Sequence, residues 1–285
     1  SFSAGEPDFD TPQVVKDAAI KAINEGKTKY TAVEGIKETK QAIINKLKKD
    51  HNLDYTLDKI VISNGAKHSL FNLAQALIDE GDEVIIPSPY WVTYPELVVY
   101  SGGVPVFIET DESTEFKITA KQLKEKITPK TKILMLNSPS NPTGSIYSKD
   151  ELLAIGEVLK GTDIVVLSDE MYEKLIYKGK KFTATAEVSP DMYNRTVTIN
   201  GLSKSVAMTG WRFGYVACPN SALAKAMSKL QGQVTSNVNS MTQYAAIVAL
   251  EGEANKDIEM MRVEFEKRKD YAVKAINNIS KLSCY

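Results

Sequence analysis

Seven short runs rich in apolar and β-branched residues recur along this chain, and the stretches between them read as helices. The runs are KIVIS at 59–63, DEVIIPSP at 82–89, VPVFIE at 104–109, TKILMLNSP at 131–139, DIVVLSDE at 163–170, RTVTIN at 195–200 and FGYVACP at 213–219. A run apolar at successive positions buries both of its faces, which a strand does inside a mostly parallel sheet covered by helices on either side. The expected fold is therefore α/β, a mostly parallel seven-stranded sheet flanked by helices. Helix signals fill the gaps: Thr11-Pro12 as cap and first helical position, apolar spacing through Leu70, Leu73, Ala74 and Leu77, and Ser148 with Glu151 as a capping box.

From about Ala254 the strand signals stop, and Ile258, Met261, Phe265, Ala272, Ile276 and Ile279 form a stripe at helical spacing. This reads as one long amphipathic helix leaving the sheet. The chain also opens without a plausible start, so both ends are expected to be cut. The expected organisation is an N-terminal arm over 1–10, a sheet domain over 11–252, and a linking helix over 253–285 that leads into a truncated small domain.

Composition removes several kinds of chemistry. Lys+Arg of 35 against Asp+Glu of 36 leaves a net charge of -1, so no overall basic field favours nucleic acid or an anionic membrane. No apolar run approaches the roughly 18 residues of a membrane span, and SFSAGEPDFD lacks the basic start and apolar stretch of a secretory leader. Cys218 and Cys284 lie far apart without CxxC spacing, which argues against a disulfide framework or a zinc site and for a reducing cytoplasm. With His51 and His68 as the two histidines and no HExxH or GxSxG, neither a metal nor a Ser-His-Asp triad is expected. Lysine chemistry moves up by elimination.

In open α/β sheets ligands bind at the carboxyl ends of the strands, so the polar residues directly after each run are the candidates. Asn64-Gly65-Ala66-Lys67 follows the first run, Ser88-Pro89-Tyr90-Trp91 the second, and Asn137 to Gly144 the fourth. Ser168-Asp169-Glu170-Met171-Tyr172 follows the fifth, and a lysine between two serines, Ser203-Lys204-Ser205, the sixth. Gly65 and Ala66 at a helix start offer free backbone N–H groups to a phosphate, and Arg212, near Ser203, offers a forked cationic donor. Asp169 ends an apolar strand, and a buried carboxylate there needs a partner, such as a heterocyclic nitrogen it would hold protonated. Trp91 offers a flat surface for such a ring, and Asn141 and Tyr172 offer hydrogen bonds to a ring oxygen. Plainer readings stand beside each: a solvated Lys204, an ordinary helix start at Gly65, Arg212 stacked on Trp211, an ion-paired Asp169, Trp91 as core, and Tyr172 as a surface phenol. Together, an amine, a phosphate cradle, a carboxylate for a ring nitrogen and an aromatic lid match the needs of pyridoxal 5'-phosphate.

The segments GEPDFDTP, GKTKYTAVEG, SPYWVTYPE, NSPSNPTG, SDEMYE and LSKSVAMTGWRFGY appear in one order along the chain. In that order and spacing the sequence resembles the class I aminotransferases of fold type I, particularly their bacterial aspartate aminotransferase branch. The resemblance implies a transaminase with Lys204 carrying the cofactor in a Schiff base, Asp169 on the pyridinium nitrogen, and Asn141 and Tyr172 on the ring oxygen. It implies Trp91 stacked on the ring, and Gly65, Ala66, Ser203 and Arg212 on the phosphate. Tyr30 would reach across from a second subunit, so a homodimer is implied. Gly5, Trp91 and Asn141 match positions that touch substrate, and Lys67 matches a position assigned to the distal carboxylate of aspartate or glutamate. The family's arginine for the substrate α-carboxylate lies after a motif resembling GAFY, and none of Arg195, Arg212, Arg262 and Arg268 matches it. Other activities share these motifs: a prephenate, aromatic or alanine aminotransferase, or a lyase. From another class, a transcriptional regulator that borrowed the fold would carry a basic helix-turn-helix domain ahead of it.

Overall fold

The computed structural model describes residues 5–284, so residues 1–4 of the expected arm and residue 285 of the expected linking helix lie outside the described residues. All seven expected strands form: β1 (Ile60–Asn64), β2 (Glu83–Ser88), β3 (Val104–Glu109), β4 (Thr131–Asn137), β5 (Val165–Asp169), β6 (Thr196–Gly201) and β7 (Phe213–Ala217). They make one sheet in the order β1-β7-β6-β5-β4-β2-β3. Pairings from β3 through β6 are parallel, whereas β7 runs antiparallel to both β6 and β1. The reason is reach: a parallel crossover takes a dozen or more residues with a helix, and the turn from Gly201 to Phe213 holds no such helix.

Helices α1 (Gln13–Asn24), α2 (Lys37–His51), α3 (Ala66–Leu77), α4 (Thr93–Tyr100) and α5 (Ala120–Lys126) precede the middle of the sheet. Then come α6 (Lys149–Leu159), α7 (Pro190–Arg195), α8 (Ser221–Val234), α9 (Ser240–Glu251) and α10 (Asn255–Asn277). β6 and β7 are buried along their whole length, although β6 carries Thr196, Thr198 and Asn200 at alternate positions. One apolar cluster gathers residues of α1, α2 and α9 with β1 and β7, while a second gathers α3 and α8 against the sheet. None of the described helices is long and apolar enough to cross a membrane.

Two local expectations need correction. Ser148 and Glu151 do form the capping box, but Thr11 caps nothing: the helix begins at Gln13 with Pro12 at the cap position. The Thr11 hydroxyl is spent on tertiary contacts, donating to the Ala207 carbonyl at 2.7 Å and accepting from Trp211 Nε1 at 3.0 Å. The long terminal helix exists, yet Met261 is its one buried residue, and Ile279 falls beyond its end with 54% exposure. Phe265 packs edge-on against Phe9 at 5.5 Å, and Arg268 reaches Asp8 at 2.7 Å, so the N-terminal segment lies along this helix.

Candidate active site

The carboxyl ends of β1, β2, β4, β5 and β6 share one rim of the sheet. Because β7 runs the other way, its first residue Phe213 pairs with Asn64 at that same rim, and Arg212 arrives there with it. The antiparallel strand thus places the arginine where a parallel one could not. Gly214 pairs with Ser63 and Gly201, and a Cβ there would strike the backbone of Gly65 and Ala66. Only glycine lets the start of α3 come this close to β7.

At that helix start Gly65 takes φ +81°, the left-handed region that favours glycine, and no side chain caps the helix. The first N–H groups of a helix have no intrahelical acceptor, so those of Ala66 and Lys67 are open to a ligand. A Cβ on Gly65 would collide with the Arg212 guanidinium, so cation and helix start face each other across a cradle that glycine keeps open. Arg212 Nη1 donates to the Thr209 carbonyl at 2.9 Å, which fixes the fork. Trp211 turns away to bond Thr11, so the plainer reading of a stacked Arg212–Trp211 pair is not what forms.

Asp169, at the end of β5, is 4% exposed. It receives hydrogen bonds from the Tyr94 hydroxyl at 2.9 Å and the Met171 backbone N–H at 3.2 Å. Neither donor is charged, and burial outweighs them, pushing the Asp169 carboxyl up to about 6. A structural ion pair is therefore not its partner. The Asn137 side chain steadies the strand end, donating to the Asp169 carbonyl at 3.0 Å and accepting the Asn141 N–H at 2.6 Å. Tyr172 is half-buried and pairs with the Asn141 side chain; burial, and then the Asp169 charge, raise its hydroxyl above the usual value.

Lys204 is half-buried, donates to the Gly5 carbonyl and holds Nζ 5.9 Å from the Tyr172 ring. Burial lowers its ammonium pKa, with Arg212 helping and Glu6 opposing. That is the environment of a lysine drawn toward its neutral, nucleophilic form. Ser203 beside it is 7% exposed. Trp91 is partly buried and meets Tyr94 edge-on at 5.6 Å, while the exposed Lys67 holds Nζ 4.8 Å above the Trp91 ring. Tyr30 stands apart, 91% exposed on the loop between α1 and α2.

The sequence reading missed Tyr94. Its signal was its place three residues after Trp91 at a helix start, but a tyrosine in YPELVVY reads equally well as core. It also missed a buried ionic group centred on Glu173, four positions after Asp169. There Glu173 is paired with Lys46 and with His51 at 2.9 Å, and His51 meets Glu187 at 3.2 Å.

A mostly parallel sheet with a half-buried lysine, a cation-free buried carboxylate and a glycine-lined cradle on its carboxyl rim has the architecture of the fold type I transferases. The chain belongs to the class I and II aminotransferases, whose family profile matches residues 1–285. Among its relatives, an aspartate aminotransferase of Geobacillus stearothermophilus is 52% identical over 283 residues, 99% of this chain and 72% of that protein. An aspartate/prephenate aminotransferase of Nitrosomonas europaea is 49% identical over 284 residues, 99% of this chain and 71% of that one. The crystal structure of the Rhizobium meliloti aspartate aminotransferase superposes with a TM-score of 0.97 at 45% identity, covering 99% of this chain and 70% of that one. An aromatic aminotransferase from Pyrococcus horikoshii superposes at 0.94 with 38% identity, over 97% and 74%. Aminotransferases of this family act on amino acids and 2-oxo acids and use pyridoxal 5'-phosphate.

Proposed function

We propose that this chain binds pyridoxal 5'-phosphate on Lys204 and transfers amino groups from aspartate or glutamate to a 2-oxo acid. One observation carries the reading: Asp169 is a buried carboxylate served by neutral donors alone, on the same rim as Lys204. A protonated ring nitrogen is the partner such a carboxylate lacks. The cradle fits the other end of the cofactor, since Gly65 and Ala66 present backbone N–H groups opposite the Arg212 guanidinium, with Ser203 nearby.

When bound, the cofactor supplies an electron sink for the pair released as the substrate Cα–H bond breaks. The protein's own groups do the rest. Arg212, Gly65, Ala66 and Ser203 would hold the phosphate, and Asp169 would keep a proton on the ring nitrogen, steadied by Tyr94. Asn141 and Tyr172 would orient the ring through its oxygen, and Trp91 would cover its face and exclude water. Lys204, its pKa lowered by burial, would act as general base at the substrate Cα once the incoming substrate amine has taken its place. Gly5, Trp91 and Asn141 would border the substrate, and Lys67 would receive its distal carboxylate.

The reading includes a homodimer, in which the phenol of Tyr30, exposed in the single chain, would reach the phosphate held by the second subunit. In this organisation 1–10 is an arm, 11–252 the cofactor domain and 253–285 the link to a small domain. The unpaired Cys218 and Cys284 fit a reducing cytoplasm. Prephenate is a second acceptor to consider, because the relative from Nitrosomonas europaea carries both activities in its name and Lys67 would suit the ring carboxylate of prephenate equally.

The test is to add the cofactor, reduce with borohydride and map the labelled peptide. Label on Lys204 is expected, and label on any other lysine would sink the assignment.

A further inference from the structure

The loop between α1 and α2 carries Tyr30 and has no helix or strand of its own. Backbone polar groups in such a segment still need partners. Here they find them in two glutamines that lie some 200 positions further along the chain. Gln231, on α8, is wholly buried and uses all four hydrogen-bonding positions of its amide. Its Nε2 donates to the carbonyls of Val33 and Ile62, both at 2.8 Å. Its Oε1 accepts from Ser63 Oγ at 2.8 Å and Asn72 Nδ2 at 3.0 Å.

Gln243, on α9, is also wholly buried and does the same work from the other side. Its Oε1 accepts the Ile36 N–H at 2.8 Å, and its Nε2 donates to Thr31 Oγ1 at 3.1 Å and to the Val238 carbonyl at 2.8 Å. Ser240, one turn earlier on α9, donates to the Lys27 carbonyl at 2.7 Å. The loop is thus gripped at Lys27, Thr31, Val33 and Ile36, on both sides of Tyr30. Tyr30 itself projects into solvent.

An exposed aromatic rooted in a loop held by two buried amides and a serine hydroxyl is pre-organised for a contact outside its own chain. We infer that Gln231 and Gln243 are positioning residues, which aim Tyr30 at the phosphate held by the partner subunit. This inference rests on the reading of Tyr30 given under Proposed function. Both glutamines are wholly buried; Gln243 acts through the loop and the start of α9, while Gln231 ties the loop to β1 and α3.

The experiment uses the full-length protein stripped of cofactor and compares affinity for pyridoxal 5'-phosphate with affinity for pyridoxal, which lacks the phosphate. Tyr30→Phe should weaken the phosphorylated ligand roughly tenfold or more, as expected for a hydrogen bond to a charged group, and leave pyridoxal unchanged. Gln243→Asn keeps an amide but shortens its reach. It should reproduce the selective loss, raise hydrogen exchange over residues 27–36, and add little to Tyr30→Phe in the double variant. Gln231→Asn, whose amide also holds Ser63 and Asn72 beside the cradle, is read by its non-additivity with Tyr30→Phe, so a folding failure of the Gln243 variant leaves a second measurement. Equal weakening of both ligands, full additivity with Tyr30→Phe, or loss of the dimer would overturn the inference and make the glutamines merely structural. If Tyr30→Phe alone leaves the phosphorylated ligand unaffected, the Tyr30 reading falls and takes the inference with it.

Discussion

Replacing Tyr94 by phenylalanine removes one oxygen and leaves the ring, which is 3% exposed and packed edge-on against Trp91. The missing group is the donor at 2.9 Å to Asp169 Oδ2. A hydrogen bond to a charged group contributes roughly 1.5–3 kcal/mol, and one between neutral groups about 0.5–1.5 kcal/mol. Which of the two is lost depends on Asp169, whose carboxyl titrates near 6 in the folded protein against an ordinary value of 3.8. A folded pKa raised above the unfolded one gives stability that is present at low pH and lost as pH rises through 6. Removing Tyr94 raises that pKa further, so the loss deepens on the alkaline side. Cofactor-free Tyr94→Phe should therefore be destabilised by about 1–1.5 kcal/mol more at pH 8 than at pH 5, the difference between the charged and neutral bonds. For a domain near this size that corresponds to roughly 2–6 °C of additional fall in melting temperature. Calorimetry of both proteins at the two pH values reads it. An equal deficit at both would mean that the hydroxyl only fills space and that Asp169 does not depend on it.

Three other outcomes follow from the same geometry. Burial alone would depress His51, but its hydrogen bonds to Glu173 and Glu187 hold it up at about 9, so the stability it contributes is complete below 6.5 and fades as pH rises through 9. Glu187→Gln should accordingly cost about 1.5 kcal/mol at pH 7 and little at pH 10, and a constant deficit across that range would refute the pairing. Gly214→Ala drives a methyl into the Gly65–Ala66 backbone, so a loss of about 1–3 kcal/mol in thermal stability together with weakened binding of the cofactor phosphate is expected, and a neutral result would mean the cradle can shift. Lys67→Ala should lower kcat/KM for aspartate and glutamate by roughly ten- to a hundredfold while sparing alanine; equal losses on all three would assign Lys67 to cofactor or fold instead.

The strands were legible because each lies in a short run rich in apolar and β-branched residues, and each of the seven runs overlaps the strand that forms. The direction of β7 was not, because FGYVACP reads alike in either sense; what turns it is the turn between Gly201 and Phe213, which lacks a crossover helix. Thr11 before Pro12 carries the local signal of a helix cap, and Trp211, 200 positions away, claims its hydroxyl first. Among the site residues, those directly following strands could be collected by position, since the sheet itself brings its carboxyl ends to one rim. Lys204, Asp169, Tyr172, Asn141, Gly65 and Ala66 end or follow strands that finish at that rim, whereas Arg212 comes to it only through the reversed direction of β7.

What position could not reveal are the residues whose role is set by a distant partner. Tyr94 serves Asp169 across 75 positions, His51 serves Glu173 across 122, and Gln231 holds Val33 across 198. Periodicity compares a residue with neighbours three or four places away, and on that scale a glutamine in AMSKLQGQV is an ordinary helix former. Its meaning comes from burial: leaving a polar group unpaired in the interior costs about 1–3 kcal/mol, and Gln231 is answered at all four positions of its amide. The answers Gln231 finds tie the loop at Val33 to β1 at Ile62 and Ser63 and to α3 at Asn72. The same logic runs through Asp169, where the interior demands a partner and the chain supplies only uncharged donors. A buried polar group met in full, as at Gln231, fixes structure; Asp169 and its neighbour Glu170 are both buried carboxylates with neutral donors alone, and what sets Asp169 apart is that it ends β5 on the rim that Lys204 shares.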